Sequence, residues 1–227
     1  MSPRAPLDRQ AVVLAALRLL NRDGFEGLTL RSLARELSVQ APALYWHFKN
    51  KQELLDEMAT EVFRHGFQNL GLPPKDLYWK DWCRQLAQGE RQMLLRYRDG
   101  ARIFSGTYLT DPTMYAPMEA SLQKLTDSGL SLAEALNALS TLHCFVVGFT
   151  IEEQAVFSHA GNRDKRYAPE QRAVRLDKEK FPLSLKAGDE LFAAPDDRFS
   201  RGLEAILCGL ESLYTAKSAK MGERKSQ

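Results

Sequence analysis

The residues able to do covalent or metal chemistry in this sequence are few and badly spaced for it. His65, His143 and His159 have no second His or Cys three or four residues away, so no helix face presents a metal pair. Cys144 follows His143, but neighbours in a helix point about a quarter-turn apart, which suits a pair satisfied in a core better than a thiol and its base. Glu152 and Glu153 are adjacent acids, a pattern typical of a solvated helix surface, and no glycine-rich phosphate loop is present. One stretch differs: Leu28 to Lys51, LTLRSLARELSVQAPALYWHFKNK, gathers Tyr45, Trp46, His47, Lys49 and Lys51. Rings of this kind pack against a sugar-phosphate backbone and cations neutralise phosphate, so the chemistry on offer is DNA binding. On residue type alone, Tyr45 and Trp46 fit the core of a small helical bundle equally well.

The elements that must hold this stretch are legible from caps and periodicity. Asp8 is placed to cap a first helix with Val13, Leu14, Leu17 and Leu20 on one face, ended by Gly24. Thr29 caps a second, from about Leu30 to Leu37, with Ser38 and Val39 as the turn. Ala41 to His47 makes a third, with Pro42 in its first turn, where a missing N–H costs nothing. So short a helix cannot stand alone in water and must be anchored by Leu44 and Phe48, which leaves Ala43, Tyr45, Trp46 and His47 partly outward. Asn50 and Glu53 form a capping box for a fourth helix, from Lys51 to about Gln68, broken by the GLPP at Gly71 to Pro74.

The charge is distributed to match. The chain of 227 residues carries a net +2, yet residues 1–51 hold eight Lys/Arg against four acids, which leaves the remainder at −2. Three scattered cysteines point to reduced thiols, and the N-terminus lacks an apolar signal core. No uninterrupted apolar run is long enough to cross a bilayer, so a cytoplasmic protein without a membrane partner is expected. The rest of the chain reads as helix throughout: Asp76 to Tyr97; a short turn at Ala101 to Gly106; Thr113 to Ser128; a long helix opened by the capping box Ser131-x-x-Glu134 and running to about Ala160; and a last one, capped by Asp196 or Asp197, with Phe199, Leu203, Ile206, Leu207, Leu210 and Leu213. Gly161 to Pro195, rich in charge and proline, reads as mobile. The fold class is therefore all-α: a three-helix helix-turn-helix domain over residues 1–51 with a connecting helix to about 70, a larger helical domain over 71–215, and a flexible tail over 216–227.

The run from Thr29 to Lys51, with AxxLxV at Ala34 to Val39 and LYWHFKNK at Leu44 to Lys51, resembles the DNA-binding head of the TetR family of bacterial transcriptional repressors, and LYWHFKNKQELLDEM is nearest to the tetracycline repressors within it. The likeness continues more weakly through YRDGARIFSGT, SLAEALNALS, IEEQ and LEAILCGLE. It implies that Arg31 reads a guanine edge, and that Leu30, Pro42 and Ala43 meet thymine methyls. Thr29, Tyr45, Trp46, His47 and Lys51 would grip phosphates. Ala41 departs from the pattern: tetracycline repressors carry glutamine there, and alanine cannot make that amide's paired bonds to adenine, so a different operator is expected. The resemblance also implies a homodimer. The long helix before the Gly161–Pro195 segment and the last helix after it would form a four-helix bundle with their symmetry mates, and a palindromic operator follows. The alternative is that both helices are ordinary core.

For the effector, the resemblance implies a magnesium-chelated drug held by a histidine after the RDGA-type turn and by a partner-chain glutamate through water. Phe104 occupies that histidine's position, while Thr107 and Glu152 keep the family's residues, and a phenyl ring offers no lone pair to a metal. Phe67 replaces a second ligand-binding histidine; Leu86 and Glu90 stand where the family has asparagine and phenylalanine. The expected effector is therefore a small hydrophobic molecule rather than magnesium-tetracycline, with no cofactor and no catalysis. The fourth helix would carry the signal, and effector and DNA would lower each other's affinity by one common factor. A helical enzyme or carrier, and an architectural DNA binder without a ligand, remain the alternatives in other classes.

Overall fold

The structure is a computed structural model that describes residues 8–104, 106–157 and 161–224, without the side chains of 104 and 215–224. The described residues form eleven α-helices and no strand, with one isolated bridge between Phe157 and Arg163, so the fold is all-α. They divide into two compact units. One runs to Leu72 and takes in Gly89–Glu119; the other comprises Pro73–Gln88 and the chain from Ala120 onward.

In the first unit, α1 (Arg9–Gly27) begins where the Asp8 carboxylate accepts from the Ala11 amide. It does not stop at Gly24 but kinks there, at φ 76, and resumes to Gly27. The positive φ there favours glycine, and a Cβ would lie 2.9 Å from Arg98 Nε and Asp99 Oδ2, so those side-chain ends would also have to shift. Next come α2 (Leu30–Glu36) and α3 (Ala41–Tyr45), joined through Ser38 in the left-handed region, and then α4 (Lys51–Leu70). Val12, Ala16, Leu20, Leu28, Leu33, Leu44, Phe48, Leu54 and Met58 are buried together as the core of these four helices. Later in the unit, α6 (Gly100–Phe104) lies against α4, and a 3-10 turn at Pro112–Met114 follows.

The two units meet in sequence inside α5 (Trp79–Leu95) and α7 (Tyr115–Asp127). The second unit holds α8 (Leu132–Val156), α9 (Pro169–Arg175), α10 (Pro182–Leu191) and α11 (Pro195–Arg224). Here Trp79, Trp82 and Cys83 are buried, and the Trp82 indole donates to Ser121 Oγ at 3.2 Å. Burial alone pushes the Cys83 thiol up to about 12, which makes it chemically inert. On one face of α11, Glu204 and Glu211 pair with Lys80 at 3.1 and 2.9 Å, and Glu204 with Arg84 at 2.8 Å. Phe199 packs between Phe145 and Phe149, each ring centroid 5.3 Å away.

Three expectations need correction. The segment from Gly161 to Pro195 is structured as α9 and α10, tied by the Arg172 guanidinium donating to the Ser184 carbonyl at 2.7 Å. The final helix extends to Arg224, through residues expected to form a loose tail, although 225–227 lie outside the described residues, as does His159. And α8 is, by length and composition, long and apolar enough to cross a membrane, despite polar interruptions; its Val146 and Thr150 are nonetheless buried against protein.

Candidate nucleic-acid interface and effector region

The end of α1 and the start of α2 set one edge of the candidate interface. The Thr29 hydroxyl accepts from the Ser32 amide at 3.0 Å while the Thr29 amide donates to Ser32 Oγ at 2.9 Å, a reciprocal cap that fixes the first turn of α2. Thr29 is therefore a cap in the free protein, with Arg31 exposed just inside it and Leu30 half-buried. On α3, Leu44 is buried and points the opposite side outward: Pro42 is exposed, Ala41 and Ala43 are half-buried, Tyr45 is 56% exposed and Trp46 90% exposed. The helix thus carries its largest apolar side chain in water. His47 is half-buried, and its carbonyl accepts from the Arg9 guanidinium. Lys51, expected at phosphate, is half-buried with its ammonium 4.6 Å above the Phe25 ring, a cation–π position that leaves it at the edge of the head. Nine of the ten expected DNA-binding residues thus fall on α2, α3 and their caps or on the first residue of α4, while His47 lies just past the α3 cap, and α2 packs on α3.

The anchoring of α3 rests on residues that the sequence did not single out. Arg9 stacks 4.5 Å over Phe48 and pairs with Glu53 at 3.0 Å and Glu57 at 2.9 Å. The sequence predicts that Glu53 closes a box on the Asn50 amide. Instead its carboxylate accepts from the Lys49 amide at 2.8 Å, while Asn50 Oδ1 accepts from the Glu53 amide at 2.9 Å. The Lys49 amide, and then Arg9, hold the Glu53 carboxyl below the usual carboxylate range.

The expected effector residues are divided. Phe67, Glu90, Phe104 and Thr107 belong to the first unit; Leu86 and Glu152 belong to the second. Phe67, near the end of α4, is half-buried and stacks on Phe63 at 5.4 Å. Phe104 closes α6, Thr107 and Glu90 are half-buried, Leu86 is half-buried on α5, and Glu152 is exposed on α8. No group of three or more His, Cys, Asp or Glu suited to a metal ion occurs among the described residues.

The turn before α6 binds back to the head. Asp99, at φ 57, accepts from the Phe25 amide at 2.7 Å, the Arg98 amide donates to Asn21 Oδ1 at 2.8 Å, and Arg102 pairs with Glu26 at 3.0 Å. After α6, the Tyr108 amide donates to Asp56 at 3.1 Å, the Thr110 amide to Thr60 Oγ1 at 3.0 Å, and Arg64 reaches Asp111 at 3.0 Å. The Thr113 hydroxyl and amide, with Arg64, hold the Asp111 carboxyl down to about 2. Apart from the local Asp111–Thr113 cap, nothing in the local sequence signals these contacts, whose partners are dozens of residues apart.

A helix-turn-helix of this shape, followed by a helical body, can be compared with known proteins. The sequence profile of the bacterial regulatory proteins of the tetR family matches residues 12–58, and that of the tetracyclin repressor-like C-terminal domain matches residues 71–214. The chain belongs to the TetR family. Among its relatives, tetracycline repressor protein class A from transposon 1721 of Escherichia coli is 42% identical over 223 residues, covering 96% of this chain and 97% of that protein. Among solved structures, a possible TetR family transcriptional regulator from Streptomyces coelicolor A3(2) superposes with a TM-score of 0.78 at 32% identity, covering 91% of this chain and 100% of its own. A TetR variant from Acinetobacter baumannii AYE in complex with minocycline gives 0.70 at 32% identity, covering 92% and 98%. The TetR family protein ActR of Streptomyces coelicolor in complex with actinorhodin gives 0.76 at 27%, again covering 92% and 98%. The relatives are transcriptional regulators, which points to a regulator role for this chain.

Proposed function

We propose that this TetR protein is a ligand-responsive repressor that binds a palindromic operator as a homodimer through α2 and α3 and is released by a small hydrophobic effector other than magnesium-tetracycline. The observation that carries the DNA reading is Trp46, 90% exposed beside Tyr45 on a helix whose other face is anchored in a complete core. A protein surface that leaves a tryptophan in water is one that something else covers. Thr29, Leu30, Arg31, Ala41, Pro42, Ala43, Tyr45 and His47 lie on the same two helices or at their ends, and Lys51 opens α4. Arg31 is the base-reading candidate, and Ala41, short of an amide, shifts operator preference away from that of the tetracycline repressors.

The homodimer is supported by the second unit. Leu132 and Leu136 on α8 are 63% and 48% exposed and Leu213 on α11 is 62% exposed, while these helices pack on one another. Two apolar helix faces left open side by side fit burial against a symmetry mate, and a two-fold dimer presents two heads to a palindrome.

For the effector, Phe104 carries the argument. It ends α6 where the resemblance places a metal-chelating histidine, and Phe67 on α4 adds a second ring in place of a second histidine. Benzene rings offer surface to an apolar ligand and no donor pair to a hydrated cation. The route from effector to DNA is one helix long: α4 carries Phe67 near its end, is bonded to the segment after α6 through Asp56, Thr60 and Arg64, and packs on α1 at its start. An effector that favours one setting of α4 lowers DNA affinity by the factor DNA lowers its own.

Calorimetry with tetracycline, with and without magnesium, tests the effector reading. The expected result is weak or no binding in both conditions. Tight, magnesium-dependent binding overturns it and makes this a tetracycline repressor with altered contacts, the reading favoured by the 42% identity to class A and by Thr107 and Glu152. A screen of hydrophobic compounds against the operator-bound dimer then identifies the effector.

A further inference from the structure

Helix α3 has five residues, and its N-cap, Gln40, makes no side-chain bond to the first turn. So short a helix has no cooperative stability of its own and must be held by contacts outside it. One such contact comes from the start of α1 and reaches the chain just past the α3 cap. The Arg9 guanidinium donates to the His47 carbonyl, to Glu53 Oε1 at 3.0 Å, and to Glu57 Oε1 at 2.9 and 3.2 Å, with its plane over the buried Phe48 ring. Glu53 in turn accepts from the Lys49 amide. The loop is closed: the chain leaving α3, the first two turns of α4 and the start of α1 all meet at one side chain.

We propose that Arg9 is a positioning residue for operator reading, joining the end of α3 to α4 so that the exposed face of Tyr45 and Trp46 turns with α4 as one body. This rests on the reading of α2 and α3 as the DNA interface. A planar fork with several donors is what the arrangement uses; a lysine ammonium on a flexible stem cannot serve a carbonyl and two carboxylates in that geometry. Arg9 is the connection through which a shift of α4 reaches the base-reading helix, and it acts without touching DNA.

Two variants of the full-length dimer test this: Arg9→Met, which keeps a stem on Phe48 and removes the donors, and Arg9→Lys, which keeps the charge. Two quantities are measured: amide hydrogen exchange at Phe48 and Lys49, which needs no DNA, and affinity for the operator and for a random duplex across a salt series. Loss of these bonds is expected to speed Lys49 exchange and to weaken operator binding about tenfold in both variants. Random-duplex affinity and salt slope should stay unchanged. Unchanged exchange with operator affinity within about twofold overturns the proposal. So does equal weakening on both duplexes with a salt slope reduced by about one, which makes Arg9 a phosphate contact. Full recovery in Arg9→Lys overturns the fork. Should Arg9→Met unfold the head, Glu57→Gln, outside the apolar core, must give the same split in smaller measure. If the wild-type protein binds no DNA, the interface reading fails by itself, and Lys49 exchange alone still decides whether Arg9 holds the end of α3.

Discussion

The chain has three tryptophans and uses them in opposite ways. In the second unit, Trp79 and Trp82 are each 2% exposed, and the Trp82 indole N–H has its partner in Ser121. In the first, Trp46 is 90% exposed at the end of a five-residue helix, with a buried leucine on the other side. The same residue type therefore lies in the core of one region and on the surface of the other. The second unit leaves Leu132, Leu136 and Leu213 exposed on α8 and α11, as it does Val174 and Leu183 on α9 and α10; the first unit exposes Tyr45 and Trp46 on the surface proposed for DNA.

Removing one buried and one exposed ring from the first unit breaks or sharpens this contrast between core and surface. The largest effect is expected for Phe48→Ala, which empties a fully buried site under α3: about 3–5 kcal/mol of stability should be lost. Thermal unfolding monitored by circular dichroism measures it. Trp46→Ala should instead leave stability within about 0.5 kcal/mol. Operator affinity should fall by at least about tenfold, some 1.4 kcal/mol. Parallel melts and DNA titrations of the two variants separate core from contact, and a large loss of stability in Trp46→Ala would place that ring in the core after all.

A specificity change of middle size is expected from Ala41→Gln. Restoring the amide should shift base preference at one operator position by about 1–3 kcal/mol toward adenine, as read by binding-site selection. Identical selection profiles for the wild-type protein and the Ala41→Gln variant would remove this position from the reading face.

The smallest effect belongs to the second unit's charges. The Arg84 and Lys80 side chains hold the Glu204 carboxyl down from 4.5 to about 2. A carboxylate with a lowered folded value contributes its stability above the ordinary range and loses it as pH falls from about 4.5 toward 2. Because the pair is partly exposed, Glu204→Gln should cost under about 1 kcal/mol at neutral pH and nothing at pH near 2. Melting curves across that window check the sign.

How much of this was legible in the sequence depends on how far apart the partners lie. Asp8, Thr29, Asn50 and Ser131 announced their helices because a cap acts within three residues. Leu44 and Phe48 were readable as anchors from spacing alone. The Arg9 clamp, with partners 38 to 48 residues away, and the Asp99 carboxylate on the Phe25 amide, 74 residues away, left no local mark. The order in α9 and α10 was hidden similarly: charge and proline suggested mobility, but Pro169 and Pro182 sit in first turns, where they start helices. The Glu53 box failed by one residue, since Arg9 and the Lys49 amide draw that carboxylate away from Asn50.

The central claim, that α2 and α3 read an operator through a surface built around Trp46, is tested most directly by titrating wild type and Trp46→Ala with the palindromic DNA upstream of the protein's own gene and with a scrambled duplex of equal length, over a range of salt. The account predicts tight, steeply salt-dependent wild-type binding that prefers the palindrome, and a variant that folds normally but has lost most of that binding. Wild-type protein that binds both duplexes alike, or a folded Trp46→Ala that binds the palindrome as well as wild type does, would contradict it.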